Sequence, residues 1–357
     1  MTNKKNFRRH PIVAADMLSL SNTSCVPWEQ LRGKTVLITG AAGFLATYMV
    51  EILLFLNETK GMGITVICMV RDVNHFNIRF AHHVPRQDLI CLKQDISTAF
   101  DVDHQVDFII HAASKASPKY YSTDPVGTLS ANTMGTAHLL DLAKRQQVEG
   151  FLYISSGEVY GQASKVPTAE TDYGAVDPLD VRACYAESKR MGENMCVCWH
   201  HQFKIPAKIV RPFHTYGPGM QLDDGRVFAD FVADILHNRD IKMKSDGLAK
   251  RAFCYIADAT AGFFTILLSG ENGKAYNIGN PQGEISIRDL AQLLVGIFPE
   301  KNLKTIFTDR DSNDVYVPSQ VQAICPNIDL ANALGWSPET SLEQGFLNTV
   351  KSYQTWQ

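Results

Sequence analysis

Short runs of apolar and β-branched residues alternate along this chain with longer stretches whose apolar positions recur every three or four residues. The runs "KTVLITG", "GITVICMV", "LICLKQD", "VDFIIHAAS", "GFLYISS" and "PAKIVRPF" are apolar almost throughout, the pattern of strands buried on both faces. Between them, "FLATYMVEILLFLN", "TLSANTMGTAHLLDLAKRQQ" and "CYAESKRMGENMCVCWHHQF" carry helical spacing. Strands alternating with helices of this length predict an α/β fold, a Rossmann-type doubly wound parallel sheet. After about residue 213 the pattern loosens. Helices are predicted at "VFADFVADILHN", "SIRDLAQLLVGIF" and "SLEQGFLNTVKSYQ", while "RAFCYIADATAGFFTILLSG" reads as a return to the main sheet. The expected organisation is an N-terminal arm over 1–33, a Rossmann domain over 34–212 plus about 251–280, and a smaller, discontinuous C-terminal domain over 213–250 plus about 281–357.

Composition narrows the function classes. With 45% hydrophobic and 20% charged residues the chain has ordinary globular composition, and a net charge of -3 offers no broad basic field for nucleic acid. Eight cysteines without a CxxC pair read as free thiols of a reducing, cytoplasmic compartment. "CVCWHH" fits neither zinc-ribbon nor zinc-finger spacing, so no metal is expected. The basic N-terminus lacks the apolar segment of a secretory signal, and no apolar run approaches the ~18 residues of a membrane span.

The segment "TGAAGFLA" follows the first strand and opens the first helix. Gly40 and Gly43 permit a tight turn and close backbone approach, Ala46 lets the helix pack closely, and the helix N-terminus offers unpaired N–H groups to a pyrophosphate. The second strand ends in "CMVRD". Asp72 there would accept from the ribose hydroxyls of NAD, whereas Arg71 would tolerate the 2′-phosphate of NADP. Asp95, after the third strand, is placed to accept from the adenine amino group. In "CYAESK", Tyr185 and Lys189 stand four apart on one helix face, where an ammonium beside a phenol favours the phenolate and makes a general base.

"TGAAGFLA", "HAAS", "SSGEVYG", "YAESK" and "RPFHTYGPG", in that order, resemble the extended short-chain dehydrogenases/reductases that act on nucleotide sugars. Within that family, "DPLDVRACYAESKRMGENMC", "DDGRVFADF" and "KRAFCYIAD" are most similar to UDP-glucuronate decarboxylases. The resemblance implies an enzyme with NAD that makes a 4-keto sugar, in which Ser156, Tyr185 and Lys189 form the catalytic triad and Glu158 acts near C5. It implies cofactor contacts at Phe44, Leu45, Ile96, Ala112, Ala113, Ser114, Asn132 and Pro212, and a homodimer paired through helices beginning near Thr128 and Cys184. Substrate contacts are expected at Lys115, His214, Arg226 and Arg251, the two arginines because a guanidinium grips phosphate oxygens bidentately. Decarboxylation, epimerisation and 4,6-dehydration all pass through the ketone. Two departures bear on the choice: Gly157 stands where dehydratases carry an aspartic acid and decarboxylases a serine, and Gly219 where decarboxylases carry an arginine.

Overall fold

The structure is a computed structural model that describes residues 9–243, 245–307 and 323–354. Seven strands form one parallel sheet: β1 (Thr35–Thr39), β2 (Thr65–Val70), β3 (Leu89–Lys93), β4 (Phe108–His111), β5 (Gly150–Ile154), β6 (Ala207–Pro212) and β7 (Ala275–Ile278). Their spatial order is β7-β6-β5-β4-β1-β2-β3, so the chain reverses direction across the sheet between β1 and β4. Open sheets of this kind take their ligands at that switch point, beyond the carboxyl ends of the strands. Six of the seven strands are those expected. The stretch read as a return to the sheet comes back chiefly as helix, Ile256–Ser269, whose apolar residues cover the sheet rather than join it, and β7 follows it.

The helices that matter here are α1 (Pro11–Asn22), α2 (Phe44–Lys60), α3 (Pro125–Asn132), α4 (Met134–Gln146), α5 (Cys184–Phe203), α6 (Val227–Leu236) and α7 (Ile256–Ser269). The single helix expected over 128–147 starts earlier and is broken at Thr133. Asp124 caps its start by accepting from the Gly127 N–H at 3.0 Å, with Pro125 in the first turn where its missing N–H costs nothing.

The N-terminal segment expected as an arm without strong period contains α1, which packs against α2 and α7. Met17 is fully buried, and the Asp16 carboxylate accepts from the hydroxyls of Tyr48 and Tyr255, each at 2.8 Å. Burial pushes the Asp16 carboxyl up to about 6, against the pull of those two hydroxyls. Arg9 donates to Glu51 at 2.6 Å, and His82 and His83 also meet Glu51, at 2.7 and 3.0 Å. Glu51, His82 and His83 bring metal-type ligand atoms within 4.8 Å of one another, yet the Arg9 guanidinium already neutralises the carboxylate.

Beyond β6 the chain builds a roof over the carboxyl ends of the strands from short pieces. Thr215–Tyr216 pairs with Cys254–Tyr255, and Lys250–Ala252 pairs with Glu284–Ser286 and Ala323–Ile324. An aromatic cluster holds them: Phe253 meets Tyr216, Phe228 and Phe346 edge-on, and Tyr216 stacks on Phe346 with ring centroids 4.0 Å apart.

Candidate active site

Floor and roof enclose a cavity of about 1280 Å³. One small-molecule ligand typically occupies ~300–1,000 Å³, so there is room for two side by side.

On the β1 side, Gly40 has φ +63°, and a Cβ there would sit 2.7 Å from the Ala113 Cα, so only glycine lets this turn lie against the segment leaving β4. That segment is pinned to β1 by the Ala112 and Ala113 N–H groups, which donate to Thr39 Oγ1 at 3.2 and 3.1 Å. Gly43 caps α2 without a side-chain acceptor, so the helix's first N–H groups lack a side-chain cap. Gly40, Gly43, Phe44, Leu45, Ala112, Ser114 and Pro212 all line the cavity. Ser114 Oγ is buried without a hydrogen-bond partner. An uncapped helix end, a glycine turn and an orphaned hydroxyl at a switch point fit a dinucleotide.

Ala113 and Ile96 do not line the cavity: Ala113 supports Gly40, and Ile96 packs against Gly135. Asn132, fully buried, donates to Ser188 Oγ at 3.0 Å and so ties α3 to α5 beside the lysine of the helix. Arg71, Asp72 and Asp95 stand at the ends of β2 and β3, outside the main cavity lining.

The centre of the cavity is the junction of β5 and α5. Gly192 is where α5 passes directly over the Tyr153 ring, leaving no space for a Cβ. This close approach lets Lys189 Nζ donate to the Ile154 carbonyl at 2.7 Å. Tyr185 and Lys189 are 6% and 2% exposed. Ser156 lies within hydrogen-bonding reach of the Tyr185 phenol, and its Oγ accepts from the Glu158 N–H at 3.1 Å. Glu158 is exposed to the cavity it lines.

The electrostatics differ from the expectation for the Tyr–Lys pair. Burial pushes the Tyr185 phenol up to about 12; Ser156 and Arg226 pull it down and Glu158 pushes it further up. The Lys189 amine, 5.8 Å from the centre of the phenol ring and turned to a carbonyl, does not offset this. Burial lowers Lys189 itself to about 7, against the support of Glu193 one turn on.

Several neighbours were invisible to sequence reasoning. Tyr121 stacks on Tyr185, centroids 5.1 Å apart and planes 16° apart. Beneath them Ser155 donates to Glu193 at 2.5 Å, and Glu193 pairs with Arg211 at 2.6 Å in a buried network that reaches Tyr160 and Asn277. The Phe213 ring occupies the space beside Gly157: a Cβ there would meet it at 3.2 Å.

At the far side, His214, Arg226 and Arg251 line the cavity. Arg226 pairs with the buried carboxylate of Asp224, two residues away, and Arg251 donates to the Lys250 carbonyl at 2.7 Å. His214 Nδ1 is buried without a hydrogen-bond partner; burial, reinforced by Arg251 and Arg226, lowers the imidazole to about 3, so it is neutral. Lys115 is not brought to the cavity. It pairs with Asp124, the cap of α3, because the segment after β4 turns its side chain to that helix.

The sequence matches the NAD dependent epimerase/dehydratase family over residues 36–279. Among curated proteins it is 34% identical over 325 residues to UDP-glucuronic acid decarboxylase 2 of Arabidopsis thaliana, covering 90% of this chain and 69% of that one. It is 34% identical over 312 residues to UDP-glucuronic acid decarboxylase 6 of the same plant, covering 87% and 86%. Among solved structures, the UDP-glucuronic acid 4-epimerase of Bacillus cereus, in complex with UDP-glucuronic acid and NAD, superposes with a TM-score of 0.74 at 25% identity over 89% of this chain and 98% of that one. A dTDP-glucose 4,6-dehydratase of Bacillus anthracis, in complex with NAD, shares the fold with a TM-score of 0.70 at 20% identity over 90% and 96%.

Proposed function

Because the chain belongs to the NAD dependent epimerase/dehydratase family, we propose that it oxidises UDP-glucuronate at C4 and releases the C5 carboxylate as CO2. The observation that carries this reading is the convergence of Tyr185, Ser156, Lys189 and Glu158 on one cavity whose opposite wall presents Arg226 and Arg251.

A bound nicotinamide dinucleotide would supply the hydride acceptor for C4 and a positive charge above the phenol. Gly40, Gly43 and the first turn of α2 would hold its pyrophosphate, and Lys189 and Ser114 its nicotinamide half. Tyr185 takes the proton of the C4 hydroxyl. Its high pKa without a ligand means that it does so only once the site is charged and closed to water. Ser156 orients the hydroxyl. Lys189, fixed by the Ile154 carbonyl, keeps its amine at the end of β5. Oxidation at C4 makes the C5 carboxylate that of a β-keto acid; the C–C bond electrons pass to the ketone as CO2 leaves, C5 is then reprotonated, and return of the hydride to C4, with the proton given back by Tyr185, leaves the UDP-pentose. Glu158, beside Ser156 at the end of β5, would manage that proton. Arg226 and Arg251 hold the anionic groups of the substrate. With no side chain at Gly157 and the Phe213 ring beside it, the acid that 4,6-dehydration would draw from this position is missing.

The protein is further proposed to work as a homodimer in the cytoplasm. Val126 and Leu129 on α3 and Met191 and Val197 on α5 are exposed apolar residues that support pairing of these helices, and eight unpaired thiols support a reducing compartment. Among the described residues no helix is long and apolar enough to cross a membrane.

Incubation with UDP-glucuronate and mass analysis of the product tests the reaction. CO2 with a UDP-pentose is expected. A product of unchanged mass would replace decarboxylation by epimerisation, and loss of water would replace it by dehydration.

A further inference from the structure

The segment between β4 and α3 is fastened at two points. Ser117 Oγ donates to the Asp224 carbonyl at 2.6 Å, on the wall that carries Arg226, and the Tyr121 hydroxyl turns back to the Ala116 carbonyl at 3.0 Å. With its hydroxyl engaged there, Tyr121 presents a ring face to Tyr185. The centroids are 5.1 Å apart and the planes 16° apart, within the range of offset-stacked aromatic pairs. Tyr121, Cys184 and Tyr185 form a small buried cluster apart from the main core, and both tyrosines line the cavity. The other neighbours of Tyr185 do not set the plane of its ring. Ser156 reaches only the phenol oxygen, and Lys189 Nζ, 5.8 Å from the ring centre, is turned to the Ile154 carbonyl.

We propose that Tyr121 is a positioning residue for the proton transfer: its ring fixes the plane of the Tyr185 ring and keeps water from one face of the phenol. This rests on Tyr185 as the proton acceptor and adds the group that seats it. The two rings face the same charges, Glu158 and Arg226, with Arg182 also acting on Tyr121 and Lys189 beside Tyr185. Burial is nonetheless the largest influence on both phenols and pushes each up. The Tyr121 ring is part of what buries Tyr185, so its loss admits water from the cavity, and water stabilises a phenolate. Asp224, whose carbonyl anchors Ser117, also pairs through its carboxylate with Arg226. The segment that seats Tyr121 is thereby tied to the wall proposed to hold the anionic groups of the substrate.

The test compares Tyr121→Leu and Tyr121→Phe in the full-length, NAD-loaded protein, with kcat and KM measured across pH from the disappearance of UDP-glucuronate. Tyr121→Phe keeps the ring and loses only the bond to Ala116, so kcat is expected within about threefold and the acid limb of its profile unmoved. Tyr121→Leu removes the flat ring. It is expected to lower the plateau of kcat about tenfold, to leave KM within about twofold, and to move the acid limb down by roughly half a pH unit or more. A fall in kcat with the limb unmoved, a rise in KM alone, no change in either constant, or a phenylalanine variant as impaired as the leucine one overturns the proposal. Because substrate loss is followed whatever product forms, a failure here is distinguishable from failure of the decarboxylase reading, which is judged by CO2 alone.

Discussion

At the floor of the cavity Lys189 donates to a main-chain carbonyl and Ser155 is tied to Glu193, which in turn pairs with Arg211 on the neighbouring strand. On the opposite wall Arg226 rests on one carboxylate, Asp224, close to it in the chain, and His214 Nδ1 has no partner. The floor is therefore fixed by bonds between distant segments, β5, β6 and α5, whereas the wall rests on contacts between near neighbours, Arg226 with Asp224 and Arg251 with the Lys250 carbonyl. A bond between distant segments needs the whole sheet in place, but a contact between near neighbours can be changed by a single local substitution. The contrast implies that the shared chemistry of C4 oxidation belongs to the floor, and that the identity of the anion bound belongs to the wall.

Tyr185→Phe gives the largest expected effect. Removing the proposed proton acceptor should lower kcat roughly 100- to 10,000-fold with little change in KM, the signature of a group acting in the transition state. Steady-state kinetics checks this, and retained turnover would show that the floor does not carry the chemistry. Next comes Arg226→Lys, which keeps a charge for Asp224 but loses the planar fork. It is expected to raise KM roughly tenfold and leave kcat within about twofold. An equal fall in kcat would mean that floor and wall act together.

The smallest effect is expected for Glu193→Gln. Glu193 supports the charge on Lys189, which burial has lowered to about 7 and which also faces Tyr185, Tyr153 and Cys196. Without that carboxylate the amine loses its proton at lower pH, so the alkaline limb of the kcat profile should move down by up to about one pH unit. An unmoved limb would show that Glu193 acts only in holding Arg211.

What was legible in the sequence is what repeats locally. The glycine turn, the Tyr185–Lys189 spacing and six of seven strands are each written within a few consecutive residues. Of the predicted site residues, Ile96, Ala113, Asn132, Lys115 and the groups at the adenosine end do not line the cavity, and the rest do. What was not legible depends on segments far apart in the chain. Nothing near "SPKYY" announces that Tyr121 will stack on Tyr185, and nothing near "SSGEVYG" that Phe213 will fill the space beside Gly157. The sign of the tyrosine's perturbation was missed for the same reason: spacing gives the neighbour, but burial comes from the whole fold. Lys115 was misplaced because its partner, Asp124, was not recognised as a helix cap.

Asp16 carries a consequence for the order in which this molecule takes shape. Its two phenolic partners lie 32 and 239 residues further along. At ~5–20 residues per second on the ribosome, the second emerges roughly 10–50 seconds after the first helix has been made. Helix α1 can thus meet α2 and Tyr48 soon after it is made, but its seat is complete only when α7 and Tyr255 arrive.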